Sequence, residues 1–192
     1  MRTVITKAEQ LCVAYHEAGH AVASCKLDYT LGRTGVTIEP SGGFLGRCGP
    51  GKYCGRRRGV SDAEREYAAK GRGHFESDAV IALAGAAAER RFQPYSVKSV
   101  KAGSRSDDNF VKDGLRFYSQ HGAEEYNAYL KLLKIRAAKL VEKHWPCVEA
   151  VAAALVQRKR LSTNEVRAIV REAVPPKWIS ATSVKPQNRK AI

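Results

Sequence analysis

The chain has 192 residues, of which 44% are hydrophobic, enough for the core of one domain. Its net charge of +14 favours anionic partners such as nucleic acid, an acidic membrane surface or an acidic protein, although a merely soluble basic chain fits equally well. It has no run of eighteen apolar residues and no apolar signal-peptide core, and its five cysteines are irregularly spaced. These features predict a cytoplasmic protein with reduced thiols and no membrane insertion, rather than a disulfide-stabilised secreted protein.

The first predicted helix, residues 7 to 25, follows a capping box headed by Thr6 and contains the pattern H-E-x-x-H. His16 and His20 lie one turn apart on one face, where both can bind one metal ion. Glu17 can take a proton from water bound to that metal, which is the chemistry of zinc amide hydrolysis. The pattern also arises by chance. An apolar stripe indicates that this helix is packed against other elements; it consists of Leu11, Ala14, Tyr15, Ala18 and Val22. Histidines and an acid that are buried on such a helix need compensating partners.

Residues 35 to 46 (GVTIEPSGGFLG) predict two short extended segments around a turn. The second segment consists of Gly43, Phe44, Leu45 and Gly46. Its free edge can hold an extended polypeptide through main-chain hydrogen bonds. A purely structural hairpin is equally compatible with these residues.

Residues 46 to 53 (GRCGPGKY) match G-x-x-x-x-G-K but end in Tyr53, where a P-loop needs a Ser or Thr hydroxyl for magnesium. The loop-like, arginine-rich residues that follow favour a flexible basic loop over a nucleotide site. A second metal ion is a further option, with Cys48, Cys54 and His74 as candidate ligands, but their spacing matches no recognised zinc pattern.

A short polar helix is predicted for residues 61 to 70, and a buried helix starts at residue 77 or 78 after a glycine break. Residues 79 to 88 (AVIALAGAAA) are apolar on every face. Glu89 closes this run. It either marks the end of burial or fixes a ligand histidine by accepting its other N–H.

The next predicted helix starts at residues 106 to 109 (SDDN) and stops at Gly122. An acid at a helix start is usually an N-cap. A zinc site needs three protein ligands, and a carboxylate here can be the third. These residues alone do not choose between the two roles.

Three further helices, at residues 123 to 144, 147 to 159 and 163 to 173, are predicted to form a bundle. The tail is basic and lacks apolar periodicity. We therefore expect a zinc metallopeptidase domain over residues 1 to 174 and a disordered basic tail over residues 175 to 192.

Several segments, in order, resemble the peptidase domain of the FtsH-type ATP-dependent zinc metalloproteases. AYHEAGHAVA is similar to the zinc helix of that family, TIEPSGGFLG to its strand segment, ALAGAAAE to its small-residue helix and GSRSDDNF to the segment that carries the third ligand. ALVQRKRLSTNEVRAI resembles its closing helices. The similarity covers roughly residues 6 to 172 and is weak between residues 47 and 75.

The resemblance implies a mainly α (α+β) zincin-like fold, a helical bundle with a small antiparallel sheet. It implies Zn2+ as cofactor, with His16 and His20 as ligands and Glu17 as the catalytic base. The aspartate ligand falls on Asp107, with Asp108 as second choice because the doubled acid leaves the register open. The segment from Gly43 to Gly46 falls where the family holds substrate.

The family joins this domain to a membrane anchor and an AAA ATPase, and this sequence shows neither. We therefore expect either a separate ATPase partner or the cleavage of peptides and already unfolded chains, with a homo-oligomer as a further option. The predicted function is a zinc-dependent endopeptidase acting on unfolded or extended polypeptides. The alternative is a catalytically weak, metal-binding regulatory or adaptor protein whose basic surface binds nucleic acid or an acidic protein.

Overall fold

A computed structural model of the chain describes residues 6–32, 34–40, 45–48, 71–93, 105–119 and 122–173. The helices in these ranges are α1 (Lys7–Lys26), α2 (Arg72–Phe92), α3 (Arg105–Tyr118), α4 (Ala123–Lys143), α5 (Trp145–Arg158) and α6 (Thr163–Glu172). The strands are β1 (Val36–Thr37), β2 (Arg47–Cys48) and β3 (Arg160–Leu161). The prediction of a mainly helical fold with a small antiparallel sheet is confirmed.

Some predictions lie outside the described residues. They concern Gly43, Phe44, Tyr53, Cys54, the polar helix at residues 61 to 70 and the basic tail from residue 175.

The capping box predicted at the start of α1 is present. Thr6 Oγ1 accepts a hydrogen bond from the Glu9 main-chain N–H at 3.2 Å, and Glu9 Oε2 accepts one from the Thr6 N–H at 2.8 Å. Both groups satisfy donors that the first helical turn would otherwise leave unpaired. The local sequence therefore sets where α1 begins.

The sheet has the order β2-β1-β3, and both pairs are antiparallel. Val36 in β1 faces Cys48 on one side and Leu161 on the other. Strand β3 was not predicted from the sequence. Within the described part of the chain β2 forms one edge of the sheet.

Helix α1 lies at the centre of the fold and packs against both α2 and α5. A Cβ added at Gly19 would lie 2.5 Å from the Ala84 carbonyl oxygen and 2.8 Å from Ala88 Cβ. The distance between α1 and α2 is therefore so short that only small residues fit at this contact. One turn before Gly19, Tyr15 stacks on Phe92 of α2 and on Trp145 of α5. This packing holds the H-E-x-x-H face of α1 against α2.

Two hydrophobic clusters form the core. One joins α1 and α5 with the sheet, and the other joins α2, α3 and α4 around Phe75, Leu115 and Leu133. No helix within the described residues is long and apolar enough to cross a bilayer.

Two predicted boundaries are wrong. Helix α2 begins at Arg72, not at residue 77 or 78, because Phe75 packs into the second cluster and the glycines around it do not interrupt the helix. Gly122 does not end α3, which stops at Tyr118. It is the N-cap of α4, with φ of 90°.

Candidate metal centre

Three potential ligand side chains converge where α1, α2 and the first turn of α3 meet. The Nε2 atoms of His16 and His20 lie 3.0 Å apart. Asp107 Oδ2 lies 3.4 Å from His16 Nε2 and 3.3 Å from His20 Nε2. Among the described residues, these three form the one group of His, Cys, Asp or Glu side chains close enough together to hold a metal ion.

The outer nitrogen of each histidine is already hydrogen-bonded. His16 Nδ1 donates to Glu89 Oε2 at 3.1 Å, and His20 Nδ1 donates to the Ile81 carbonyl oxygen at 2.8 Å. Carbonyl and carboxylate oxygens only accept, so the ring proton of each neutral histidine sits on Nδ1. When both rings are neutral, as metal binding requires, the two Nε2 atoms therefore present lone pairs to each other and to Asp107.

This arrangement fits a metal ion. Three lone-pair atoms at 3.0 to 3.4 Å repel one another unless a cation lies between them. Ligand atoms at about 2.0–2.1 Å from a tetrahedral zinc ion are about 3.3 Å apart. Two imidazoles and a carboxylate also match the protein ligands of catalytic zinc sites, which keep a fourth position open.

The electrostatics of the site favour a positive charge. Burial lowers the pKa of His16, but hydrogen bonds with Asp107 and Glu89 outweigh this and raise that pKa to about 10. Burial likewise raises the pKa of Asp107, and its hydrogen bonds with the two histidines hold that pKa well below its usual range. A metal cation would take the place of the proton that these acids otherwise hold on His16.

Glu17 is buried beside the three converging side chains, and its Oε2 atom has no hydrogen-bond partner among the described residues. Burial raises the pKa of Glu17, while the nearby histidines and the Cys48 main-chain N–H act to lower it. A carboxylate with a raised pKa and a free oxygen is suited to accepting and returning a proton near neutral pH.

Two glycines let other segments approach the site. A Cβ at Gly46 would lie 2.7 Å from Glu17 Oε1 and 2.6 Å from Val13 Cγ1. A Cβ at Gly85 in α2 would lie 2.8 Å from His16 Nε2 and would also strike His20. The small residues of α2 are evident from the sequence, but the role of Gly85 was not predicted. Its signal is a glycine inside an otherwise alanine-rich helix.

The structure separates the two candidate aspartates. Asp107 lies with the histidines, whereas Asp108 lines a separate cavity. Glu89 is 3% exposed and contacts His16 as one of its two predicted roles requires. His74 lies near the Tyr29 hydroxyl, with 3.3 Å between that oxygen and Nδ1, and it does not belong to the converging group.

The predicted substrate-binding strand needs correction. Leu45 and Gly46 precede the strand, which begins at Arg47. The strand begins there because Thr37 pairs with Arg47 and Val36 pairs with Cys48. Gly46 lies against α1 instead of pairing with β1. The edge position is nevertheless retained by β2 in the described part of the chain.

No family model matches the chain. The chain is 30% identical, over 208 aligned positions, to an "ATP-dependent zinc metalloprotease FtsH" of Acidimicrobium ferrooxidans. The alignment covers 89% of this chain and 29% of that relative, so the chain spans less than a third of the relative's length. The chain is therefore similar to one part of an FtsH metalloprotease along most of its own length.

Proposed function

We propose that this chain is a zinc-dependent endopeptidase that hydrolyses peptide bonds of unfolded or extended polypeptides. The observation that carries the proposal is the convergence of two imidazole lone pairs and the Asp107 carboxylate beside a buried carboxylate with a free oxygen. The similarity to a protein named as a zinc metalloprotease supports the same reading.

In this proposal His16, His20 and Asp107 hold the metal. Zinc, when bound, supplies Lewis-acid polarisation of the scissile carbonyl and lowers the pKa of water toward about 7. Glu17 accepts the proton of the attacking water at Oε2 and passes it to the leaving amine. Glu89 keeps the ring proton of His16 on Nδ1, so that Nε2 stays directed at the metal.

The sheet edge supports the proposed substrate class. Strand β2 is an edge strand among the described residues, and Gly46, directly before it, touches Glu17. An extended polypeptide paired with β2 would bring its backbone close to the base. Main-chain pairing requires an unfolded segment, so a folded substrate would need a separate unfolding partner such as an ATPase.

The test compares the wild type with Glu17→Gln on an unfolded, fluorescently labelled protein, with zinc content measured on both preparations. We expect the wild type to cleave and Glu17→Gln to cleave about 10²–10⁴-fold more slowly while it keeps its zinc. Glu124→Gln, at an exposed position of α4, is the matched control and should behave as wild type. Equal rates for wild type and Glu17→Gln, or zinc binding by a wild type that never cleaves, would contradict the proposal.

A further inference from the structure

A cavity of about 350 Å³ lies between α2, α4 and the first turn of α3. Leu83 and Arg90, which line the cavity, lie about 140–160° around the axis of α2 from Gly85, which faces the histidines, at 100° per residue. The cavity is thus distinct from the metal centre. Its volume is within the range of small-ligand sites.

The cavity combines an apolar floor with a charged rim. Its buried floor residues are Leu83, Ala86 and Val141. Three cationic side chains line it: Arg90, Arg91 and Lys134. Two carboxylates line it: Asp108 and Glu142.

Two of the three cations lack a partner in the part of the chain that the structure describes. Within the described residues, the side chains of Arg90 and Lys134 make no ion pair or hydrogen bond. Arg91, by contrast, places its guanidinium 4.8 Å from the centre of the Trp145 ring. Glu142 accepts a hydrogen bond at 2.8 Å from Lys139, which does not line the cavity. The two unpaired cations come from different helices and face the same space.

We propose that this cavity binds a carboxylate whose short apolar stem lies on the floor. The three cations outnumber the two carboxylates, so the cavity lining has a net positive charge that favours an anion. A doubly charged phosphate would bring excess negative charge up to Asp108 and Glu142. The guanidinium of Arg90 also offers paired donors that match a carboxylate. A free small acid and an acidic side chain of a polypeptide both present this chemistry.

The test is an NMR titration of the full chain with propionate, and in parallel with inorganic phosphate. We expect saturable shifts of the cavity-lining amides with propionate, and an affinity about tenfold or more lower in Lys134→Ala. Ala138→Phe, which fills the cavity, should abolish binding. Lys131→Ala and Ala128→Phe are the matched controls, since both positions are exposed on α4 and do not line the cavity.

A blocked glutamate, N-acetylglutamate amide, distinguishes the two sources. Tighter binding than propionate assigns the cavity to acidic side chains of polypeptides, and weaker binding assigns it to free small acids. The proposal is overturned if no cavity amide shifts saturably, if phosphate binds as tightly as propionate, or if the controls lose as much affinity as the cavity variants. The measurement is independent of cleavage, so failure of the peptidase proposal would leave it standing.

Discussion

Glu89 Oε2 and His16 Nδ1 lie 3.1 Å apart in a buried contact between α2 and α1. The contact fixes the ring proton of His16 on the side away from Asp107, so the metal-facing nitrogen keeps its lone pair. Outer partners of this kind typically contribute 10–100-fold to metal affinity.

Glu89→Ala should therefore lower zinc affinity by about 10–100-fold, as measured by competition with a chromophoric chelator. Glu89→Gln retains an accepting oxygen and should lose less. Glu124→Ala, an exposed acid on α4, is the control. Unchanged affinity in Glu89→Ala would mean that Glu89 does not position His16.

The neighbouring aspartates of α3 provide a second test. Asp107→Asn removes a carboxylate that lies within 3.4 Å of both histidine Nε2 atoms. It should therefore weaken zinc binding by more than Glu89→Ala does, that is, by more than about 10–100-fold. Asp108→Asn leaves all three converging atoms in place and should bind zinc as wild type. Isothermal titration of the metal-free proteins measures both. A larger loss in Asp108→Asn would reverse the ligand assignment.

Gly85 and Gly73 form a matched pair on α2. Gly85→Ala places a methyl group among His16 Nε2 and the His20 ring, so we expect loss of zinc binding together with about 1–3 kcal/mol of destabilisation. Outside its chain neighbours and its own helical backbone, no atom of the described residues lies within 4 Å of a Cβ added at Gly73, so Gly73→Ala should keep zinc and gain up to about 1 kcal/mol of stability. Metal content and thermal unfolding measure both effects. Normal zinc content in Gly85→Ala would contradict the geometry of the site.

Zinc affinity should rise with pH. The pKa of His16 in the metal-free chain is about 10, and zinc binds only the deprotonated ring, so binding below that pH displaces a proton. Apparent affinity should increase about tenfold per pH unit from about pH 6 to about pH 8, with proton release detected by calorimetry in buffers of different ionisation enthalpy. An affinity independent of pH would show that His16 is not a ligand.

The raised pKa of His16 also predicts how the stability of the metal-free chain depends on pH. Because the folded pKa of His16 lies above its unfolded value of about 6.5, its stabilising contribution is complete below about pH 6.5 and is lost as the pH rises to about 10. The free energy of unfolding of the metal-free chain should fall across that window. Zinc-loaded protein should not show this fall, and chemical unfolding at several pH values measures the difference.

The parts of the fold that depend on neighbouring residues were predictable. Thr6 and Glu9 form a capping box that fixes the start of α1 from four residues of sequence. Strand β3 was not predictable, because its two residues pair with β1 across more than a hundred residues of chain and carry no local signal. The early start of α2 at Arg72 also depends on a distant contact, since Phe75 packs against residues of α3 and α4.

Some residues of the site were likewise predictable from the sequence, and others were not. The i, i+4 spacing of His16 and His20 and the adjacent Glu17 follow from helical periodicity alone. The choice of Asp107 over Asp108 required the rotation of α3 relative to α1, and the role of Gly85 required the separation of two helices. Both depend on tertiary packing, which cannot be predicted from the residue types alone.

The most direct test of the metal centre is the zinc K-edge X-ray absorption spectrum of the zinc-loaded chain. The account predicts nitrogen and oxygen ligands at about 2.0–2.1 Å, two of them imidazoles, and no sulfur. A sulfur ligand at about 2.3 Å would place a cysteine such as Cys48 on the metal, and that result or a shell without imidazole would contradict a centre built from His16, His20 and Asp107.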